Sequence, residues 1–153
     1  MTYFQDLTCC DYHSGPFDTK NWRCPLLAVG WLEYPKRYSR GVVDNHVLDK
    51  LKLLSDHFKF AFPQYLFRGL HKCSLCGDGE DLWLDNSHVN IFVPGKDVVY
   101  IAPGRIDHYI RVHNYCPPED FINAVNLCPD PTSLKFSERL RQANRGEDCP
   151  LYS

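Results

Sequence analysis

The pair Cys73-Ser74-Leu75-Cys76, followed at a distance by His108 and His113, narrows what this chain can become more than any other feature of its sequence. Two cysteines at i and i+3 can hold one ion, because the chain between them turns tightly and directs both sulfurs inward. Thiolates suit zinc, which prefers four sulfur and nitrogen ligands in a tetrahedron. Closing such a site takes two more donors, and His108-x4-His113 has the spacing of zinc-binding helices. Positions five apart lie about 140° apart round an ideal helix. One ion can take both rings only if the last turn tightens or the helix ends near His113, and Asn114, Pro117 and Pro118 favour that ending.

His71 leaves the ligand count open. In an extended segment residues 71 and 73 point the same way, so His71 is either the fourth ligand, in place of His108 or His113, or a hydrogen-bonding neighbour of a ligand. The 31 residues from 77 to 107 are too many for a short zinc finger, and an inserted hairpin would fill them. The plain alternative is a pair of buried thiols beside surface histidines. A thioredoxin-like redox pair fits worse, because Gly77 and Gly79 break any helix that such a pair should open.

A chain of 153 residues suits one domain, and 44% apolar with 14% aromatic residues is enough for a core. A net charge of -2 gives no excess of cations for broad phosphate neutralisation. The first residues lack a basic and apolar leader, and no apolar run reaches membrane-spanning length, so a cytoplasmic location is expected. Eight cysteines then read as metal ligands and free thiols, not as a disulfide framework.

The pattern predicts an α+β fold: a small antiparallel sheet with a β-hairpin, packed by three to four helices and stapled by zinc. An irregular N-terminal arm over 1–25 pins its aromatics to the domain. Residues 26–32 read as a buried strand, and 34–41 as a polar, basic loop. A helix capped by Asp44 or Asn45 runs to Pro63 with Val47, Leu51, Leu54 and Phe58 on one face. Residues 82–84 suggest a short strand; 89–93 and 98–102 suggest a hairpin around Pro94-Gly95-Lys96-Asp97. Helices follow over 105–113, 119–126 and 134–143, the last capped by Ser133. The domain is read as 1–130, with 131–153 as a C-terminal helix and a loose tail.

Other chemistry is sparse. Glu80, Asp81 and Asp107 lie near the ligands in sequence, but neither H-E-x-x-H nor a deaminase pattern occurs. Cys116 follows His113 by three residues with nothing to mark it as reactive. Two basic clusters stand out. Lys36, Arg37, Tyr38 and Arg40 sit in a loop that mixes aromatics with cations, and Lys135, Arg139, Arg141 and Arg145 lie on or beside the last helix. The loop could be a single-strand nucleic-acid platform, and either cluster could be a soluble surface or a face for an acidic protein.

Several segments also fit one recurring order of motifs. Met1–Leu7 reads M-T-Y-F-x-D-L, and Val29-Gly30-Trp31-Leu32 follows. Gly69 to Cys76 reads G-x-H-x-C-x-x-C, and Val93-Pro94-Gly95 leads to Tyr100-Ile101-Ala102-Pro103. His108 to Pro118 reads H-Y-x-x-x-H-x-Y-x-P-P, and Phe121 to Val125 reads F-x-x-A-V. In this the chain resembles a group of small, uncharacterised bacterial proteins, over most of residues 1–126. It departs at Gly104-Arg105, where the family is more apolar. The resemblance implies a shared metal site at His71, Cys73, Cys76, His108 and His113 and implies no activity. By analogy, short proteins of this kind serve in immunity or as accessory interaction proteins. Three functions are therefore carried forward: a zinc-stapled protein-binding domain, a zinc hydrolase, and a single-strand nucleic-acid binder.

Overall fold

A computed structural model describes residues 3–10, 15–66, 72–77 and 88–152. The expected strand at 82–84 and the acidic turn at 78–81 lie outside them. Three strands, β1 (Leu26–Ala28), β2 (Asn90–Pro94) and β3 (Val99–Pro103), form one sheet in the order β1-β3-β2. The described helices are α1 (Asn45–Ala61), α2 (Ile106–His113), α3 (Glu119–Leu127) and α4 (Leu134–Ala143), joined by short 3-10 turns. The class is α+β, as the pattern predicts.

One detail of the sheet differs from the predicted antiparallel arrangement. β2 and β3 form the antiparallel hairpin, but β1 runs parallel to β3, Leu26 opposite Val99 and Ala28 opposite Ile101. A parallel pair needs a long crossover, and α1 with the turn that carries Cys73 and Cys76 lies in it. Every residue of β2 and β3 is buried, as befits strands covered on both faces. Residue periodicity alone cannot tell which direction so short a strand runs.

β1 is also shorter than the expected 26–32. Gly30 turns the chain out of the ladder at φ +80°, and a Cβ there would stand 2.8 Å from the Ile106 side chain. Only glycine meets both conditions. Trp31 is then fully buried, its indole N–H donating to the Ile101 carbonyl at 2.9 Å.

The arm does more than pin aromatics. The N–H groups of Leu7 and Cys10 donate to Ala28 and Leu26, and Ala28 N–H donates to Thr8. The arm thereby covers the free edge of β1, an edge that would otherwise invite pairing with another chain. Phe4 meets Trp31 edge-on at 5.7 Å, and Trp22 stacks on Phe92 at 5.9 Å. Tyr12 lies outside the described residues.

The helix signals hold. Asp44 caps α1 by accepting from His46 N–H, and Ser133 caps α4 by accepting from Phe136 N–H. Val47, Leu51, Leu54 and Phe58 face the core. No described helix is long and apolar enough to cross a membrane.

The tail is not loose. Cys149 and Leu151 are buried, and the 3-10 turn Pro150–Tyr152 sets Tyr152 against Phe62. Asn144, 1% exposed, makes this possible. Its side-chain oxygen accepts from the N–H groups of Arg23 and Cys24, and its amide donates to the carbonyls of Glu147 and Asp148. One side chain thus joins the arm to the tail, a pairing across 120 residues that no local pattern reveals. We expect Asn144→Ala to cost about 2–3 kcal/mol, because it strands backbone groups around a buried position. Urea unfolding with an unchanged m-value checks this; a loss of a few tenths would contradict it.

Candidate metal centre

The turn at 72–77 and the far end of α2 come together. Cys76 N–H donates to the Cys73 carbonyl at 3.3 Å, closing the turn, and Gly77 leaves it at φ +75°. Cys73 is buried and Cys76 half-buried. On the other side, α2 stops at His113 because Asn114 takes the left-handed conformation, φ 55°, and its N–H donates back to Tyr109. Ending the helix there frees the His113 ring to approach His108, and the ring centroids lie 5.1 Å apart.

One sulfur or nitrogen atom from each of Cys73, Cys76, His108 and His113 lies within 4.8 Å of all the others. The Cys76 sulfur is 3.3 Å from His108 Nε2 and 3.4 Å from His113 Nε2, and Cys73 sulfur is 3.4 Å from His113 Nε2. Bonds of about 2.3 Å to sulfur and 2.0–2.1 Å to nitrogen at tetrahedral angles put sulfur and nitrogen about 3.5 Å apart. The four residues therefore sit close enough to hold one metal ion, and donor set and spacing are both consistent with zinc.

Arg105, at the point where the chain departs from the recurring motifs, supports this arrangement. Its guanidinium is buried, donates to the Lys72 carbonyl at 3.1 Å and lies 5.4 Å from the centre of the Tyr109 ring. It links the start of α2 to the residue before Cys73. Burial pushes the Tyr109 phenol up to about 12, with Arg105 opposing the shift. The ring is thus a neutral wall between core and centre.

His71, Glu80 and Asp81 lie outside the described residues. Asp107 is half-buried on α2 and belongs to no group of candidate ligands among the described residues. The Cys116 thiol is directed to the Pro117 carbonyl at 3.7 Å, a contact that activates nothing. Burial pushes Cys24 and Cys128 up to about 11 and raises Cys149 as well, which marks all three as packed, inert thiols.

The 34–40 loop lies against the centre. Tyr34 N–H donates to Ser74 Oγ, inside the cysteine turn, at 3.0 Å, and Tyr38 hydroxyl donates to the His113 carbonyl at 3.0 Å. Gly41 N–H donates to the Asn114 carbonyl, and Cys116 N–H to that of Ser39. Lys36, Arg37, Tyr38 and Arg40 then form one wall of an open cleft of about 580 Å³, with Leu75, Val112 and His113 opposite. Sequence reasoning singled out loop and ligands separately and missed their contact. A serine between the two cysteines and an asparagine after the last histidine were the available signals. The cluster on the last helix behaves differently: Arg141 pairs with Glu138 and Asp148, as a solvated helix surface does.

A family profile described as a domain of unknown function, DUF7919, matches residues 2–126. The chain belongs to that family. All four candidate ligands and the 34–40 loop lie inside the matched part, whereas α4 and the docked tail follow it. No curated protein and no solved structure matches.

Replacing Cys73, Cys76, His108 or His113 singly by alanine should abolish stoichiometric metal binding, and His71→Ala should retain it. Metal content of the purified variants decides this. Loss of metal in His71→Ala alongside retention in His108→Ala would reverse the assignment.

Proposed function

We propose that this chain is a small zinc-binding interaction protein: a domain stapled by one structural zinc ion that acts by binding another protein and catalyses no reaction. The observation that carries this reading is the double anchoring of the 34–40 loop, to Ser74 within the cysteine turn and to His113 on the ligand helix. Zinc held by Cys73, Cys76, His108 and His113 would fix both anchor points relative to each other. Two thiolates and two neutral imidazoles cancel the charge of the ion, so the half-buried centre carries no net charge and is cheap to desolvate. A structural zinc contributes its binding energy to folding directly.

The hydrolase reading asks for an open coordination position and a convergent acid or base. Four protein donors within 4.8 Å of one another would fill a tetrahedral shell, and no carboxylate joins them among the described residues. That favours a staple. Two thiolate ligands suit a reducing compartment, and we place the protein in the cytoplasm on that ground. The narrower role we assign is bacterial immunity, defence-system or regulatory accessory protein. It rests on analogy with other short interaction proteins, and the flanking genes bear on it directly.

In cells that depend on the protein, combined replacement of Lys36, Arg37 and Arg40 by alanine should abolish its effect, with zinc content and thermal midpoint retained. Asp107→Asn should leave the effect intact. An effect lost in Asp107→Asn, with folding and zinc preserved, would favour the hydrolase and contradict this reading.

A further inference from the structure

Among the described residues that line the 34–40 cleft, Lys36, Arg37 and Arg40 are the charged side chains and no carboxylate is among them. In a chain with a net charge of -2, three cations gathered at one opening are a local concentration of positive charge. Asp6, which lines the neighbouring cleft with Arg37, is already committed: it accepts from Gly30 N–H at 2.9 Å and from the Tyr115 hydroxyl at 2.7 Å. Apolar surface sits among the charges. Tyr34 is 68% exposed and Val112 54% exposed, with Leu75 half-buried beside them.

The aromatics of this loop are not a base-stacking platform. Lys36 lies over the Tyr3 ring at 4.7 Å and Arg40 over the Tyr38 ring at 4.9 Å. The Tyr38 ring also meets Tyr115 edge-on, and its hydroxyl is bound to His113. Among the described residues of the cleft, only Tyr34 offers an open ring, and single-strand binders stack successive bases on successive rings along a continuous basic groove. A short cluster of exposed cations round an open cleft, with apolar surface between them, suits carboxylates flanking an apolar side chain. Its volume of about 580 Å³ accommodates a few side chains, not a broad folded face.

Resting on the reading of this chain as a protein-binding domain, we propose that the partner presents an acidic linear segment to this cleft. Carboxylates of the segment meet Lys36, Arg37 and Arg40, and one apolar side chain packs against Tyr34, Leu75 and Val112. Ser74 and Tyr38 are positioning residues: their hydrogen bonds hold the loop against the metal centre, so the cations are presented in one arrangement. Preorganisation of this kind raises affinity by removing the cost of ordering the loop on binding.

The test uses the zinc-loaded full chain and a short fluorescein-labelled peptide of Asp and Glu around one central Leu, read by fluorescence anisotropy. The acidic peptide should bind with an affinity that falls as salt rises, and a peptide with Lys in place of the acids should not bind. Combined K36A/R37A/R40A should weaken binding about tenfold or more. Ser74→Ala and Tyr38→Phe should each weaken it about threefold while zinc content and thermal midpoint stay unchanged, a split that a purely structural role would not give. Equal binding to the triple variant, or tighter binding of oligothymidylate than of the peptide at the same salt, overturns the proposal. If the triple variant loses the cellular effect but the wild-type chain ignores acidic peptides, the acidic segment is wrong and the protein-binding reading stands. If the triple variant keeps the effect, that reading falls with it.

Discussion

Bonds from one metal ion to Cys73, Cys76, His108 and His113 would be the constraint on which the rest of this molecule depends. The donors come from a short turn and from a helix more than 30 residues later. A turn of six described residues has little apolar surface of its own, and only Cys73 in it is buried. Burial of Cys73, the packing of Leu75 and the Arg105 bond to Lys72 seat the turn against α2, and a shared metal ion would fix the four donor atoms relative to one another. The loop at 34–40 depends on the same constraint, because its bonds go to Ser74 on one side and His113 on the other.

The centre is in turn tied to the core. Tyr115, fully buried two residues beyond the last ligand, donates its hydroxyl to Asp6 of the arm, and burial and the Asp6 carboxylate both hold its phenol well above the ordinary value. Asp6 also accepts from Gly30, where β1 gives way to the buried Trp31. Arm, first strand and ligand helix therefore meet around one carboxylate. Arg40 pairs by backbone with Tyr115, which brings the basic loop into the same junction. What looks in sequence like a loose assembly of arm, loop and turn is one connected framework around the candidate metal centre.

Much of this was legible beforehand because its causes are local. Asp44 and Ser133 mark helix starts by their own side chains, the apolar spacing of α1 states which face is buried, and the hairpin announces itself by two apolar runs around Pro94 and Gly95, with its loop displaced by one residue. The ligand spacing was legible too, although the convergence of His108 and His113 was not. That convergence turns on the left-handed Asn114, which ends the helix and lets residues five apart approach. The parallel pairing of β1, the arm on its edge and the docking of the tail by Asn144 were not legible, because each is a long-range hydrogen-bonding arrangement with no periodic trace. The loop's attachment to the metal centre belongs to the same class: its chemistry was visible and its position was not.

X-ray absorption at the zinc edge of freshly purified protein tests the central claim most directly. The account predicts one zinc per chain with two sulfur neighbours at about 2.3 Å, two imidazole nitrogens at about 2.0–2.1 Å and no water oxygen. A shell with a bound water, or folded protein that holds no metal, would contradict it.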